Sequence, residues 1–490
     1  MTPYLLVVDN PDRWPLQVPG VTVVGARTYL TDPKYGAPRS YKVLNMCRSY
    51  RYQSVGYYVS LLGEARGHRP LPATATIQDL KTLSIIRSVS SDLDKMIQQA
   101  LAPLQSDSFT LSIYFARNMA KRYDRLSRHL FSLFPAPLLR AQFIRHEDGW
   151  AIQTISAIPT SEVPETHRQS VVEFATQYFA EAPHARRTKK NARFSLAMLV
   201  DPSEVNPPSN EKALRNFEKA AEELDMTLHR ITKDDYGSLV EYDGLFIRST
   251  TAVNEFTYRF SRRAQTEGMV VIDDPESILR CTNKVYLAEL LERHKVLTPK
   301  TVIIHRDNVD EALARLGGLP CIIKQPDSSF SQGVVKASTP EEYHAKVNKL
   351  LEKSDLLIAQ EFLPTDFDWR IGIIDGQPLY ACKYYMAPEH WQIYNHSKSG
   401  DDALGNVDTL PVELAPRKVV RAALKAAELI GEGLYGVDLK VARDEVYVIE
   451  VNDNPSIEAG IEDEVIRKQL YHRVMHTFLT RLERQRLYKA

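Results

Sequence analysis

Gly436-Val437-Asp438-Leu439, followed by Val446-Tyr447-Val448-Ile449-Glu450-Val451-Asn452-Asp453-Asn454-Pro455, is the stretch on which the fold turns. Val446–Val451, rich in Val and Ile, is taken as a strand. Residues two apart share a face of a strand, so Glu450 and Asn452 point the same way, with Asp438 on or ending a neighbouring strand. Three oxygen ligands then converge. Oxygen-only ligands suit a hard cation, and so few protein ligands suit Mg²⁺ shared with nucleotide phosphates. A polar strand end that binds no metal has the same residues, and on this stretch alone both readings stand.

Working outward, Leu319-Pro320-Cys321-Ile322-Ile323-Lys324 is a short apolar strand that delivers a lysine to Asp327-Ser328-Ser329-Phe330-Ser331-Gln332-Gly333. A lysine closing a buried strand is costly without an anionic partner, and backbone N–H groups of a Ser/Gly loop can approach phosphates closely. The pair reads as a phosphate clamp, although Ser-rich loops also simply turn the chain. Leu356–Gln360 runs as an apolar strand into Glu361-Phe362-Leu363-Pro364, a hinge whose backbone can read an adenine edge, with Asp368 near enough to hold a ribose hydroxyl. Trp369–Gln377 reads as a hairpin turning at Asp375-Gly376. Arg370 and, on the return strand, Lys383 are expected to reach one anionic centre; a charged, exposed strand edge is the alternative.

The remaining chain bounds the answer. Its 490 residues exceed what one core organises and suggest about three domains. Lys plus Arg (62) equals Asp plus Glu (62), so no net field draws the molecule to nucleic acid or an anionic membrane. Cys47, Cys281, Cys321 and Cys382 form no C-x-x-C pair and are expected as buried thiols. No apolar run of about 18 residues suggests a bilayer span, and the N-terminus lacks the order of a signal peptide; a cytoplasmic, soluble protein is expected.

Strands are predicted at Tyr4–Val8, Tyr41–Met46 and Phe109–Phe115, with a helix within Gln53–Ala65, giving an α/β or α+β domain of unspecified topology over residues 1–182. The basic run Ala182–Arg193, with Arg186, Arg187, Lys189 and Lys190, reads as a solvated linker, an anion-binding patch being the alternative. Residues 194–275 alternate strand and helix as a small βαβ-type layer. Residues 276–490 carry the chemistry and end in a helix with Ile466, Leu470, Val474, Phe478 and Leu482 on one stripe.

In this order the pieces resemble an ATP-grasp ligase, and most of all the RimK-like branch that joins amino acids, often glutamate, to an acceptor. The matching residues are Asn283-Lys284, Ile323-Lys324 with its loop, Gln360-Glu361-Phe362, Asp368-Trp369-Arg370, Asn395-His396-Ser397-Lys398-Ser399-Gly400, Gly436-Val437-Asp438 and Glu450-Val451-Asn452. They span roughly residues 195–490. The resemblance implies an ATP-grasp fold of two α+β subdomains clasping ATP, preceded by a small α/β pre-ATP-grasp domain (194–275) and an N-terminal α/β domain. It implies that Lys284 and Lys324 contact phosphates, with the loop of Ser331, Gln332 and Gly333 as a lid. Gln360, Glu361, Phe362 and Leu363 would line adenine, Asp368 the ribose. Asp438, Glu450 and Asn452 would ligate one or two Mg²⁺, replaceable by Mn²⁺. Arg370, Lys383, Asn395 and Lys398 would surround the transferred phosphoryl group and the carboxyl substrate. The loop has less glycine than the family's phosphate loop commonly has.

The first part of the chain resembles the uncharacterised domain N-terminal to some RimK-like ligases, mainly through Asn45–Ser54 and Tyr57–His68. Arg48, Tyr50, Arg51 and Tyr58 sit there at a strand-to-helix junction and suit an anionic acceptor; an interface against the ligase domain fits them equally. The implied reaction is ADP-forming amide synthesis through an acylphosphate, on small amino-acid or peptide substrates. The alternatives are a ligase acting on a protein C-terminus and a non-catalytic ATP-binding scaffold. Homo-oligomerisation is left open.

Overall fold

The structure, a computed structural model, describes residues 4–14, 21–36, 41–80, 91–181, 192–327, 333–387, 391–393 and 405–489. Two compact units emerge, one within Met1–Lys190, Asp234–Glu241 and Gln485–Ala490, the other within Asn191–Lys233 and Tyr242–Arg484.

In the first unit, β1 (Tyr4–Val8), β2 (Thr22–Gly25), β3 (Lys42–Asn45) and β4 (Arg69–Leu71) form a parallel sheet in the order β2-β1-β3-β4. Leu5, Val7 and Val43 pack one face while Leu6, Val8 and Leu44 pack the other, which is why β1 reads as an unbroken apolar run rather than an alternating one. β5 (Ser108–Tyr114), β6 (Leu138–His146) and β7 (Gly149–Ala157) make an antiparallel sheet in the same unit.

The second unit opens with a parallel sheet of β8 (Phe194–Leu199), β9 (Met226–Ile231), β10 (Gly244–Ile247) and β11 (Val270–Ile272), ordered β11-β10-β8-β9. The helix Glu211–Glu223 buries Leu214, Phe217 and Ala221 against it. Leu470, Val474, Phe478 and Leu482 of the long helix Lys468–Lys489 join the same core, at the four-residue spacing of one helical stripe.

Two antiparallel sheets follow. The smaller runs β12-β15-β13-β14, with β12 Thr301–Ile304, β13 Cys321–Lys324, β14 Val334–Ala337 and β15 Leu357–Glu361. The larger runs β18-β17-β16-β19-β20, with β16 Phe367–Ile374, β17 Gln377–Tyr385, β18 Val407–Leu410, β19 Leu434–Ala442 and β20 Glu445–Asp453. The β16–β17 hairpin turns at Asp375 and Gly376, both at positive φ (52° and 69°), the backbone that a two-residue turn of this hand requires. All four cysteines are free and buried. Among the described residues no helix is long and apolar enough to cross a membrane.

Candidate active site

The register of the larger sheet sets the site. Asp438 on β19 lies directly opposite Arg370 on β16 and Glu450 on β20, and Gly436 lies opposite Asn452. Directly opposed residues share a face, so Arg370, Asp438 and Glu450 project together, and Asn452, two residues after Glu450, joins them. Arg370 donates from Nε to Asp438 Oδ1 at 2.7 Å and from Nη2 to Oδ2 at 2.8 Å. Asn452 Nδ2 donates to Asp438 Oδ2 at 3.1 Å and to Gly436 O at 3.3 Å, which leaves its Oδ1 for a ligand.

Lys284 is the first residue of the helix Lys284–Arg293. Asn283 caps that helix, its Oδ1 accepting from Val285 N and Tyr286 N, and its Nδ2 donates to Asp327 Oδ1 at 3.0 Å. The cap aims Lys284 Nζ at Glu450 Oε1, 2.9 Å away. Lys324, the last residue of β13, is buried and donates to Gln360 Oε1 at 2.8 Å. Burial lowers its ammonium to about 8, against the opposing pull of Glu450. Burial alone would push the Glu450 carboxyl up, but Lys284 and Lys324 outweigh it and hold Glu450 below the usual range.

These groups open onto a cavity of about 240 Å³. Lys284, Lys324, Gln360, Glu361, Phe362, Leu363, Asp368, Arg370, Asp438, Glu450 and Asn452 all line it. Gln360 Nε2 is tied to Thr301 Oγ1 at 3.1 Å. Glu361 pairs with the exposed Arg443, so its side chain turns outward and its backbone stays with the hinge. Lys336 Nζ sits 3.8 Å over the Phe362 ring. Asp368 is ion-paired with Lys440, and burial raises its carboxyl despite that partner.

Lys383 departs from the expectation. Arg370 opposes Cys382, whereas Lys383 opposes Trp369. One residue along a strand reverses the face, so Lys383 leaves the Arg370 face and its Nζ lies 4.9 Å over Phe367 and 5.3 Å over Trp369. Ser331, Gln332, Asn395 and Lys398, like Ala182–Asn191 of the basic run, fall outside the described residues. Gly333, at φ 74°, precedes β14, and its neighbour Val334 reaches the cavity wall.

Several cavity residues escaped the sequence reading. Lys440 stands two residues after Asp438 on the same strand face, a spacing that was there to be read in Asp438-Leu439-Lys440. Thr250 and Thr251, just after β10, line the cavity from the parallel sheet; nothing local in the sequence marks them. Asp453 also lines it, and burial raises its carboxyl to about 7.

In the first unit, Arg48 and Arg51 are exposed, as are Tyr52 and Tyr58. Tyr50 spends its hydroxyl on Asn45 O at 2.6 Å, holding the loop rather than offering itself outward. Gly56 lets that loop close on the helix Val55–Ala65, since a Cβ there would meet Ser49 O at 2.3 Å.

Residues 281–469 match the model of the RimK-like ATP-grasp domain, and residues 26–174 that of the RimK-like ATPgrasp N-terminal domain. The chain thus carries a RimK-like ATP-grasp domain behind a RimK-like ATPgrasp N-terminal domain. It is 28% identical over 227 residues to the probable alpha-L-glutamate ligase 1 of Pseudoalteromonas atlantica, covering 46% of this chain and 72% of that one. To the probable alpha-L-glutamate ligase of Thioalkalivibrio sulfidiphilus it is 26% identical, with the same coverage. Among solved structures, the D-alanine–D-alanine ligase of Bacillus anthracis complexed with ATP superposes with a TM-score of 0.47 at 16% identity, covering 61% of this chain and 100% of that one. The RimK-like ATP-grasp segment contains both antiparallel sheets of the second unit and every cavity residue of β13, β15, β16, β19 and β20.

The donor set bears on the metal that this family typically uses. Among the described residues no group of three or more His, Cys, Asp or Glu is placed to hold an ion. Asp438, Glu450 and Asn452 are two carboxylates and an amide. Such a set fits Mg²⁺ only if phosphate oxygens and water complete the shell.

Proposed function

We propose that this chain is an ADP-forming carboxylate–amine ligase that joins an amino acid such as glutamate to a small amino acid or peptide. The observation that carries the reading is the convergence, on one sheet face, of Arg370, Asp438, Glu450 and Asn452 with Lys284 and Lys324 across a single cavity. That face supplies cations for phosphates and oxygen ligands for a metal.

A carboxylate is a poor electrophile, and transfer of the γ-phosphoryl group of ATP onto its oxygen converts that oxygen into a leaving group. Lys284 and Lys324 hold the phosphates and offset the charge that builds on the moving phosphoryl group. Gln360 to Leu363 take the adenine through backbone groups, and Asp368 the ribose. Asp438, Glu450 and Asn452 would hold Mg²⁺, which when bound would supply further charge neutralisation at the phosphates. An amine then attacks the acylphosphate carbonyl. Arg370 stabilises the oxyanion, and phosphate departs.

The same proposal divides the chain into an N-terminal domain (1–182), an α/β layer (194–275) and the catalytic domain (276–490). Arg48, Arg51 and Tyr58 would contact the acceptor. Their exposure supports this. A screen of amino acids for ADP formation, with the product mass measured, tests the reading. Nucleotide binding without turnover for any amino acid or short peptide would overturn it.

A further inference from the structure

β10 ends at Ile247, and the next residue, Arg248, is 1% exposed. A guanidinium so deeply buried needs its donors met. Nε donates to Ser209 Oγ at 3.1 Å and Nη1 to Asn454 Oδ1 at 2.7 Å. Nη2 donates to Ser209 Oγ at 2.8 Å, to Pro455 O at 3.0 Å and to Pro208 O. None of these oxygens belongs to a carboxylate. Asn454 answers from its other side, Nδ2 donating to Ser249 O at 2.6 Å. Ser209 Oγ donates to Ile457 O, and Ile457 N to Pro208 O, both at 2.8 Å. Three chain segments, after β10, before the helix Glu211–Glu223 and after β20, are thereby joined into one block.

The third segment begins where the metal ligands end. Asn454 follows Asn452 by two residues and adopts φ 45°, a left-handed backbone that asparagine tolerates only at some cost. Pro455 then packs against β19: a Cβ at Gly436 would come within 2.7 Å of Pro455 Cβ, and Gly436 is the residue opposite Asn452. The turn therefore presses on the sheet at the rung that carries Asn452. An apolar residue of equal volume in place of Arg248 would take the arginine donors from Asn454 Oδ1 and Pro455 O, while Pro208 O would keep its bond from Ile457 N.

We propose that Arg248 is a positioning residue for the ligand strand: by holding Asn454 and Pro455 it fixes Asn452 opposite Gly436 and so sets the metal affinity of Asp438, Glu450 and Asn452. This rests on the metal site proposed above. It assigns to the parallel sheet, outside the matched RimK-like ATP-grasp segment, a residue that acts on the metal ligands inside it.

The test titrates Mn²⁺ into the full chain saturated with ADP and reads free Mn²⁺ by electron paramagnetic resonance, for the wild type, Arg248→Lys, Asn454→Gly and the double variant. Thermal unfolding establishes that each is folded, and metal-free ADP affinity is measured alongside. Lysine lacks the planar fork, and glycine accepts the positive φ while removing both side-chain bonds. Each single variant is expected to lose about tenfold in Mn²⁺ affinity, as loss of an outer-shell partner does. The double variant should lose no more than the weaker single variant, and metal-free ADP affinity should change less than about twofold. Unchanged Mn²⁺ affinity, additive losses, or an equal fall in metal-free ADP affinity would overturn the proposal. If Arg248→Lys does not fold, Asn454→Gly decides by the same affinity criteria. A wild type that takes up no Mn²⁺ with ADP sinks the metal site and this proposal together, whereas uptake equal in all proteins sinks this proposal alone.

Discussion

Arg370 grips both oxygens of Asp438, through Nε at 2.7 Å and Nη2 at 2.8 Å. Burial works against its charge, but the Asp438 carboxylate outweighs it and holds the guanidinium well above its ordinary range. A metal arriving alone must compete with this pair, whereas a nucleotide brings phosphates that can engage the arginine. Arg370→Ala should therefore strengthen Mn²⁺ binding without nucleotide by about tenfold, one such step being about 1.4 kcal/mol. The same change should lower kcat by about 100-fold, the usual cost of one oxyanion donor. Mn²⁺ titration and ADP-release kinetics on one preparation would show the two opposite effects, and a parallel fall in both would contradict the pairing argument.

Glu450→Gln removes a charge from the proposed metal site, and turnover should fall by about a thousandfold, several kcal/mol at 1.36 per decade. From sequence the fold is expected to survive untouched, because no core packing is lost. The structure alters that expectation: Glu450 is also the counter-charge of Lys284, at 2.9 Å, and pulls on Lys324. Removing it takes a full negative charge away from two buried lysines. With Glu450 part-exposed, the cost should be about 2 kcal/mol, below the value for a wholly buried pair. A differential scan of the nucleotide-free protein should show a Tm lowered by several degrees, with ADP restoring part of it; a Tm identical to wild type would contradict the ion-pair account.

Much of this site was legible because strands obey a strict period of two. The spacing of Glu450 and Asn452 identified a shared face, and Asp438 proved to be opposite Glu450. The same period explains the failure at Lys383, where being on the return strand was mistaken for being on the right face. The hairpin at Asp375-Gly376 was readable from its turn residues alone. The order β2-β1-β3-β4 was not readable, because strand order depends on contacts between segments far apart in sequence. Arg248 was invisible for a related reason: its partners at 208–209 and 454–455 are set by the packing of separate layers.

Gly436→Ala probes that packing from the other side. A Cβ at this position would stand 2.7 Å from Pro455 Cβ and 3.6 Å from Arg370 Cδ, so the proline turn must move. Overpacking of this kind costs about 1–3 kcal/mol. The expected outcome is a lower denaturant midpoint together with weaker Mn²⁺ binding in the presence of ADP. Stability loss with full Mn²⁺ affinity would show that the turn after β20 moves independently of Asn452.

Lys324 gives the site a pH dependence whose sign is fixed by its environment. Burial lowers its ammonium from 10.5 to about 8 in the folded protein, so between those values the unfolded chain binds the extra proton. Stability attributable to Lys324 therefore rises with pH from about 8 to 10.5 and is flat below. Phosphates in the cavity favour the charged form and raise the same group. Binding of ADP should thus take up a proton above pH 8, and its metal-free affinity should fall as pH rises through about 8, approaching tenfold per unit if no other group contributes. Arginine stays charged throughout this range, so Lys324→Arg should flatten the profile even if it weakens binding at every pH. Calorimetry in buffers of different ionisation enthalpy counts the proton directly. An uptake that persists unchanged in Lys324→Arg would assign the titration to another group and detach Lys324 from the phosphates.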